Sequence, residues 1–321
     1  MEWRPSATID TLRQRAELIA RIREFFAARG VLEVETPSLA PAGTTDPALS
    51  NVTTELQALG GRRMYLQTSP EFAMKRLLAA GSGDIYQLCR VYRDDELGRW
   101  HQPEFTLLEW YRVGWDDSAL MAEVLELLER LLPARPAVLR LSYRDALRRF
   151  AGIDIDAGSA ELCAALQAHA LTPPSGVDPR GLLDFALGAC VVPALPKSTV
   201  TFIVDYPADQ AALARIRPTT PPTAARFEVF YNGAELANGF AELTDALEQR
   251  RRFEAESAER RAHGREAPPL DEALLAALEH GLPECAGVAV GVDRLVAAAA
   301  GRTDIASVMS FAHAGAPARS E

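Results

Sequence analysis

An α+β fold built around antiparallel strands is what this 321-residue sequence predicts, and three observations carry the prediction. Strand-like runs are scattered between amphipathic helices without the regular strand–helix alternation of a doubly wound sheet. Two pairs of runs are joined by turn signals, Gly60-Gly61 and Asn232-Gly233, which mark hairpins and therefore antiparallel neighbours. Neither G-x-G-x-x-G nor G-x-x-x-x-G-K-[ST] occurs, so the two common nucleotide fingerprints of parallel α/β folds are absent.

The elements follow in order. Residues 10–29 form the first helix: Leu18, Ile19, Ile22, Phe25 and Phe26 recur at helical spacing, Thr8 or Asp10 caps the start, and Gly30 suits a left-handed stop. A β-branched stretch, Val31 to Val34, ends at Pro37, and 40–50 is loop by composition. Runs 52–58 and 62–67 flank the first hairpin turn. Ser69-Pro70-Glu71 opens a helix, with proline at an early position where its missing N–H costs nothing. Strands at 84–93 and 104–112 bracket the polar loop DDELGRWHQP, and a Leu- and Glu-rich helix spans 117–132. The stretch 142–192 reads as several short helices. Strands return at 199–205 and 226–240, with the Pro/Thr-rich piece 217–223 as exposed loop. Charged helices near 244–263 and 270–280 precede a final strand-helix pair at 287–300.

Composition narrows the function. With 48% hydrophobic residues the chain can bury a large core, and 24% charged residues exclude a disordered or fibrous protein. A net charge of −10 argues against nucleic acid as the main partner. Arg250, Arg251, Arg252, Arg260 and Arg261 read as the solvated face of a charged helix. The four scattered cysteines read as buried thiols of a reducing cytosol, not as disulfides or a zinc site. No basic-then-apolar leader opens the chain and no apolar run reaches the ~20 residues of a membrane span, so a soluble cytoplasmic protein is expected.

Chemistry concentrates in three places. In strand 104–111, alternation puts Phe105, Leu107, Glu109 and Tyr111 on one face, a combination of ring, carboxylate and phenol that suits a flat base at one end and a cation at the other. Upstream, Arg93 and His101 bracket a loop of acids that could wrap a polyphosphate. In FEVFYNGAELANGFAEL, residues 227–243, a type I′ turn at Asn232-Gly233 pairs Phe230 with Glu235. It leaves Glu228 diagonal to Glu235 at ~7–8 Å, close enough to share a Mg²⁺. Asn238 and Glu242 keep strand parity with each other. The third place is GVAVGVDRL, 287–295, an apolar strand turning into a helix at Gly291 with Arg294 in the first turn.

Taken together, these segments resemble the signature motifs of class II aminoacyl-tRNA synthetases. VLEVETPSL, within about 18–39, resembles the dimer-forming motif 1. CRVYRDDELGRWHQPEFTLLEWY, within 84–112, resembles motif 2, and GVAVGVDRL, within 287–300, motif 3. HxPEFTxxExY and ELxNGFxEL are similar to the lysyl subgroup. The resemblance runs from about residue 9 to 311. It implies a single catalytic domain over 1–321 with a central antiparallel sheet flanked by helices, a helical insertion near 142–192, ATP and Mg²⁺ as cofactors, and a homodimer. Carried over by position, Arg93 and Arg294 are catalytic. The ATP contacts are Arg93, Asp94, Asp95, Glu96, His101, Gln102, Phe105, Glu235, Leu236, Gly291 and Arg294, with Phe105 stacking on adenine and either Asp95 or Glu96 as the motif 2 acid. Glu228 and Glu235 hold Mg²⁺. The amino-acid pocket uses Ser69, Pro70, Glu71, Glu109, Tyr111, Asn238, Glu242 and Ala289, Glu71 with Glu109 taking the backbone ammonium and Glu242 with Tyr111 the side-chain one.

Two departures from the lysyl enzymes are informative. The sequence enters the catalytic domain within about ten residues, where those enzymes carry an anticodon-binding barrel. Ala289 stands where they have glycine, and one added methyl shifts discrimination by ~1–3 kcal/mol. Both features, with TSPEFAMKRL and ELANGFAELTDA, resemble the elongation factor P lysine ligase branch. That resemblance implies (R)-β-lysine as substrate and elongation factor P, not tRNA, as acceptor. A shortened lysyl-tRNA synthetase and a non-catalytic binding module are the alternatives.

Overall fold

In the computed structural model, which describes residues 3–174 and 176–313, Thr8 starts the first helix. Its Oγ1 accepts a bond from the Thr11 N–H at 3.2 Å, satisfying an amide that no helical carbonyl can reach. Of the two caps the sequence allows, the chain uses Thr8. The helix, α1 (Ile9–Ala27), is followed by Gly30 at φ 67°, the left-handed stop expected there.

Past Gly30 the chain forms β1 (Leu32–Glu33), β2 (Leu39–Ala40), β3 (Thr53–Leu56), β4 (Arg62–Leu66), α2 (Glu71–Ala79), β5 (Ile85–Tyr92), β6 (Glu104–Val113) and α3 (Asp117–Leu131). It continues through β7 (Ala137–Ser142), α4 (Tyr143–Ala151), α5 (Ser159–Ala168), α6 (Pro179–Ala186), a π-helical segment (Leu187–Val191) and α7 (Val192–Ala194). Strands β8 (Thr199–Pro207), β9 (Ile216–Arg217), β10 (Thr223–Tyr231) and β11 (Ala234–Ala241) follow, then α8 (Ala246–Ala262), α9 (Glu272–Gly281), β12 (Cys285–Gly291) and α10 (Val292–Ala299).

These elements form two compact units, Met1–Pro133 with Glu242–Glu321, and Ala134–Ala241. In the first, β5, β6 and β12 are antiparallel neighbours and β1 runs parallel to β5. A small antiparallel sheet, β2-β4-β3, stands apart. In the second, β11, β10 and β8 are antiparallel, β9 pairs with β10, and β7 runs parallel to β8. The two parallel edge pairs depart from a purely antiparallel expectation. β1 is two residues long, and β7 has too short a pattern to announce itself beside the helices that follow it.

Packing fixes which face of β5 and β6 is left for chemistry. Phe26 of α1 stacks on Tyr86 at 4.5 Å between centroids and meets Trp110 at 5.2 Å. Leu120, Val124, Leu127 and Leu128 of α3 are buried in the same unit, each worth roughly 1.5–3 kcal/mol of removal from water. In the second unit, Tyr143, Leu147, Leu166, Leu182, Ile203 and Tyr206 form the centre of a separate core. Residues 218–222 are exposed between β9 and β10, as the Pro/Thr-rich composition predicts.

Two expectations need correction. The arginines of α8 are not all a solvated face. Arg250 pairs with Glu272, and Arg251 and Arg252 pair with Glu248, while Arg260 is buried and donates to the Asp46, Leu49 and Glu266 carbonyls. The cysteines are all free thiols, but Cys89 and Cys163 are only partly buried.

Candidate active site

Cross-strand register builds the site on the face of β6 turned away from Phe26. Glu109 lies between Gln87 of β5 and Ala289 of β12, and Tyr111 between Ile85 and Gly287. The alternation read from the sequence therefore holds: Glu109 and Tyr111 share a face, and the Tyr111 hydroxyl donates to Glu109 Oε1 at 2.6 Å. Helix α2 adds two charges one turn apart. Ser69 Oγ accepts from the Glu71 N–H at 3.2 Å, Pro70 precedes the first turn, and Lys75 reaches back to Glu71. Lys75 Nζ lies 2.6 Å from Glu71 Oε1 and 2.6 Å from Glu242 Oε2, with a side chain only 1% exposed.

Two carboxylates thus meet one buried ammonium, with the buried Glu109 close enough to feel the charges of both acids. Burial, reinforced by the Glu71 charge, pushes the Glu109 carboxyl up to about 8. Burial also pushes Glu242 up to about 7 against the pull of Lys75. For Lys75, burial opposes the charge, but Glu242 and Glu71 outweigh it and hold the ammonium above its ordinary range. Among the described residues, Glu109 Oε2 is buried without a hydrogen-bond partner. A buried, unpartnered carboxylate oxygen next to other acids is what an absent cationic ligand would satisfy.

Sequence reasoning missed two members of this site. Glu71 and Lys75 are spaced i,i+4, which ordinarily marks a solvent-exposed helix pair, so the spacing gives no sign that Lys75 is buried. Gly287 looked like apolar strand. A Cβ built there would lie 2.3 Å from the Tyr111 ring and 2.6 Å from Glu242 Oε1, so only glycine admits both groups. Ala289, by contrast, carries its methyl directly opposite Glu109.

In the same unit, the Arg93 guanidinium lies over the Phe105 ring at 5.1 Å, and Arg93 approaches Glu96 at 3.6 Å. Asp95 takes a left-handed backbone, φ 62°, and accepts from Ser50 Oγ at 3.2 Å, while the Asp94 N–H donates to the Ser50 carbonyl. Geometry therefore brings Glu96, not Asp95, to Arg93. Arg294 Nη2 lies 2.9 Å from His101 Nε2, and its Nε donates to the Trp100 carbonyl at 3.1 Å. Gly291 forms the N-terminal boundary of α10. Gln102 exchanges hydrogen bonds with the His313 backbone. Asp293, beside Arg294, accepts from Arg15 at 2.6 Å and from the Thr106 N–H at 2.7 Å, a tie of α1, β6 and α10 that no sequence signal announced.

In the second unit, Asn232 and Gly233 have φ of 51° and 82°, the type I′ signature, and Phe230 pairs with Glu235 as expected. A bulge then shifts the register at Leu236, so Glu228 faces Asn238 directly instead of lying on a regular diagonal to Glu235. Glu228 is buried and bonded to Arg226. Burial raises its pKa, Arg226 opposes, and the Glu235 charge raises it further. The two carboxylates repel each other with Arg226 already paired to Glu228, and among the described residues no group of three or more His, Cys, Asp or Glu side chains is placed to hold a metal ion. Asn238 Oδ1 is buried without a partner among the described residues.

Residues 1–315 match the family described as tRNA synthetases class II (D, K and N). The chain belongs to that family. Its fold class is the family's, a largely antiparallel sheet flanked by helices. Among relatives of known name, the elongation factor P–(R)-β-lysine ligase of Pseudoalteromonas translucida is 47% identical over 315 residues, covering 96% of this chain and 97% of the relative. Proteins of the same name from Salmonella paratyphi B and Klebsiella pneumoniae are each 48% identical over 317 residues, with the same coverage. No helix among the described residues is long and apolar enough to cross a membrane.

Proposed function

We propose that the chain activates (R)-β-lysine with ATP and transfers it to the ε-amine of a lysine on elongation factor P. The observation that carries this reading is the Glu71–Glu109–Glu242 cluster, buried at Glu109 and Glu242 and partly so at Glu71, with more acids than the single Lys75 ammonium neutralises and the Ala289 methyl opposite Glu109. A diamino acid supplies the missing positive charge, and the methyl narrows the pocket beside Glu109, favouring an amine moved one carbon along the chain.

The reaction divides among the residues on electrostatic grounds. Glu71 and Glu109 take the ammonium nearer the carboxylate, and Glu242 and Tyr111 the distal one, orienting the substrate carboxylate for in-line attack on the α-phosphorus. Arg93 stabilises the charge on the α-phosphate while Phe105 stacks on the adenine. His101 and Arg294 hold the departing pyrophosphate. Glu96 serves as the motif 2 acid, since it stands beside Arg93. Asp94, Gln102 and Gly291 shape the nucleotide site through their backbones and packing. Glu228 and Glu235 would hold Mg²⁺, which neutralises phosphate charge when bound. The acceptor amine then attacks the acyl carbon of the adenylate, forming an amide and releasing AMP and a proton.

The reading takes the chain as one catalytic domain acting in the cytoplasm, which its free thiols support, and as a homodimer, which the likeness of 18–39 to motif 1 supports. The test supplies ATP, Mg²⁺ and (R)-β-lysine or α-lysine, with elongation factor P or tRNA as acceptor. Pyrophosphate exchange with β-lysine and stable labelling of the factor are expected. Labelling of tRNA alone would place the chain among shortened lysyl-tRNA synthetases, and no exchange with either amino acid would make it a binding module.

A further inference from the structure

Lys75 has no part in the reaction just described, yet it sits at the centre of the amino-acid cluster. Its ammonium is fully enclosed and bridges Glu71 and Glu242, each at 2.6 Å. A lysine is rarely buried without a reason, and an apolar residue of similar volume would stabilise the fold about as well. What an apolar residue would not do is hold two carboxylates at a fixed separation and make it easier for both to ionise when ammonium groups arrive. The charge count makes the point. Glu71, Glu109 and Glu242 bring three negative charges when ionised and Lys75 brings one positive, which leaves a deficit of two.

We propose that Lys75 is a specificity-determining positioning residue: as a built-in cation it clamps Glu71 to Glu242 and sets a two-charge deficit, so that the site selects amino acids with two ammonium groups over those with one. The inference rests on the lysine-type reading of the substrate and deepens it. Without Lys75, the two carboxylates repel, and one of them keeps its proton even when the substrate is bound. The second ammonium of the substrate then loses its ionised partner. An amino acid with a single ammonium loses little, because the carboxylates that remain ionised suffice for it.

The experiment compares wild type with Lys75→Met, which keeps the volume, and Lys75→Ala, which leaves room for an added amine. Pyrophosphate exchange is measured with (R)-β-lysine and with 3-aminohexanoic acid, the same carbon chain carrying one ammonium. In K75M, KM for β-lysine rises about 100-fold while kcat stays within about threefold, and KM for the one-ammonium analogue moves less than about threefold. In K75A, propylammonium restores the β-lysine KM and propanol does not. An unchanged β-lysine KM in K75M, an equal loss for both amino acids, or equal rescue by ammonium and alcohol would overturn the proposal. If K75A does not fold, the K75M comparison decides alone. Failure of the wild type to use β-lysine at all would instead sink the functional reading.

Discussion

On one face of β6, Arg112 donates to both oxygens of Glu123 at 2.6 and 3.0 Å and to Asp84 at 2.8 Å. Trp110 adds its indole N–H to Glu123 at 3.0 Å, and Arg29 approaches the same carboxylate at 3.4 Å. Glu123 and Asp84 are each met by a guanidinium, and Arg29 also pairs with the exposed Glu126 at 2.5 Å, so every carboxylate here has a cationic partner. On the opposite face of the same strand, Glu109 and Tyr111 join Glu71 and Glu242 around the lone Lys75 ammonium, and a carboxylate oxygen is left without a partner. Adjacent residues thus build two buried charge clusters of different kinds. The balanced one holds α3 to the sheet. In the unbalanced one, burial and neighbouring acids raise the Glu109 and Glu242 carboxyl pKa values, and the proposed diamino acid would supply the missing positive charge.

Glu242→Gln should break the unbalanced cluster most severely, lowering kcat/KM for β-lysine about 1,000-fold, because a group built to meet an ammonium has become neutral. Its thermal midpoint should fall only modestly, since Lys75 loses one of its two carboxylate partners while one source of buried repulsion is also gone. A large fall in stability with modest loss of activity would reverse the roles assigned to the two faces. Arg112→Met is the mirror experiment. It leaves Glu123 buried with less compensation and should cost about 3 kcal/mol in urea unfolding, with the amino-acid KM unchanged.

The pH response sharpens the same contrast. Glu109 and Glu242 have folded-state pKa values raised to about 8 and about 7, so between the ordinary carboxylate range and those values the folded chain holds protons that the unfolded chain has released. Their contribution therefore destabilises the ligand-free protein as pH rises through that window. Urea titrations at a series of pH values should show a shallower decline for Glu109→Gln than for wild type, and identical slopes would place the strain elsewhere. The smallest effect belongs to Ala289→Gly, which should shift the α-lysine to β-lysine ratio of kcat/KM toward α-lysine by about tenfold. An unchanged ratio would remove the methyl from the account of specificity.

Much of this was legible in the sequence because it rests on local rules. The Asn232-Gly233 turn, the parity of Glu109 and Tyr111, the Thr8 cap and the order of the three motif-like segments are set by neighbours in the chain. The missed parts depend on what lies across the fold. Lys75 has the spacing of a surface pair and becomes a buried bridge only because Glu242, far along the chain, folds against it. Gly287 matters only because the Tyr111 ring comes within reach. The bulge at Leu236 replaces a regular diagonal with a Glu228–Asn238 pair, and no residue type there announces it. Arg260 belongs to the same class, a charged helix residue whose partners are carbonyls of a distant loop.

The claim that the Lys75 cluster receives a diamino acid predicts a proton count. At neutral pH the amines of (R)-β-lysine are protonated, and their arrival should ionise Glu109 and Glu242. Titration calorimetry of (R)-β-lysine into the protein, repeated in buffers of different ionisation enthalpy, should show net proton release on binding. Binding with no proton released, or with protons taken up, would contradict the account.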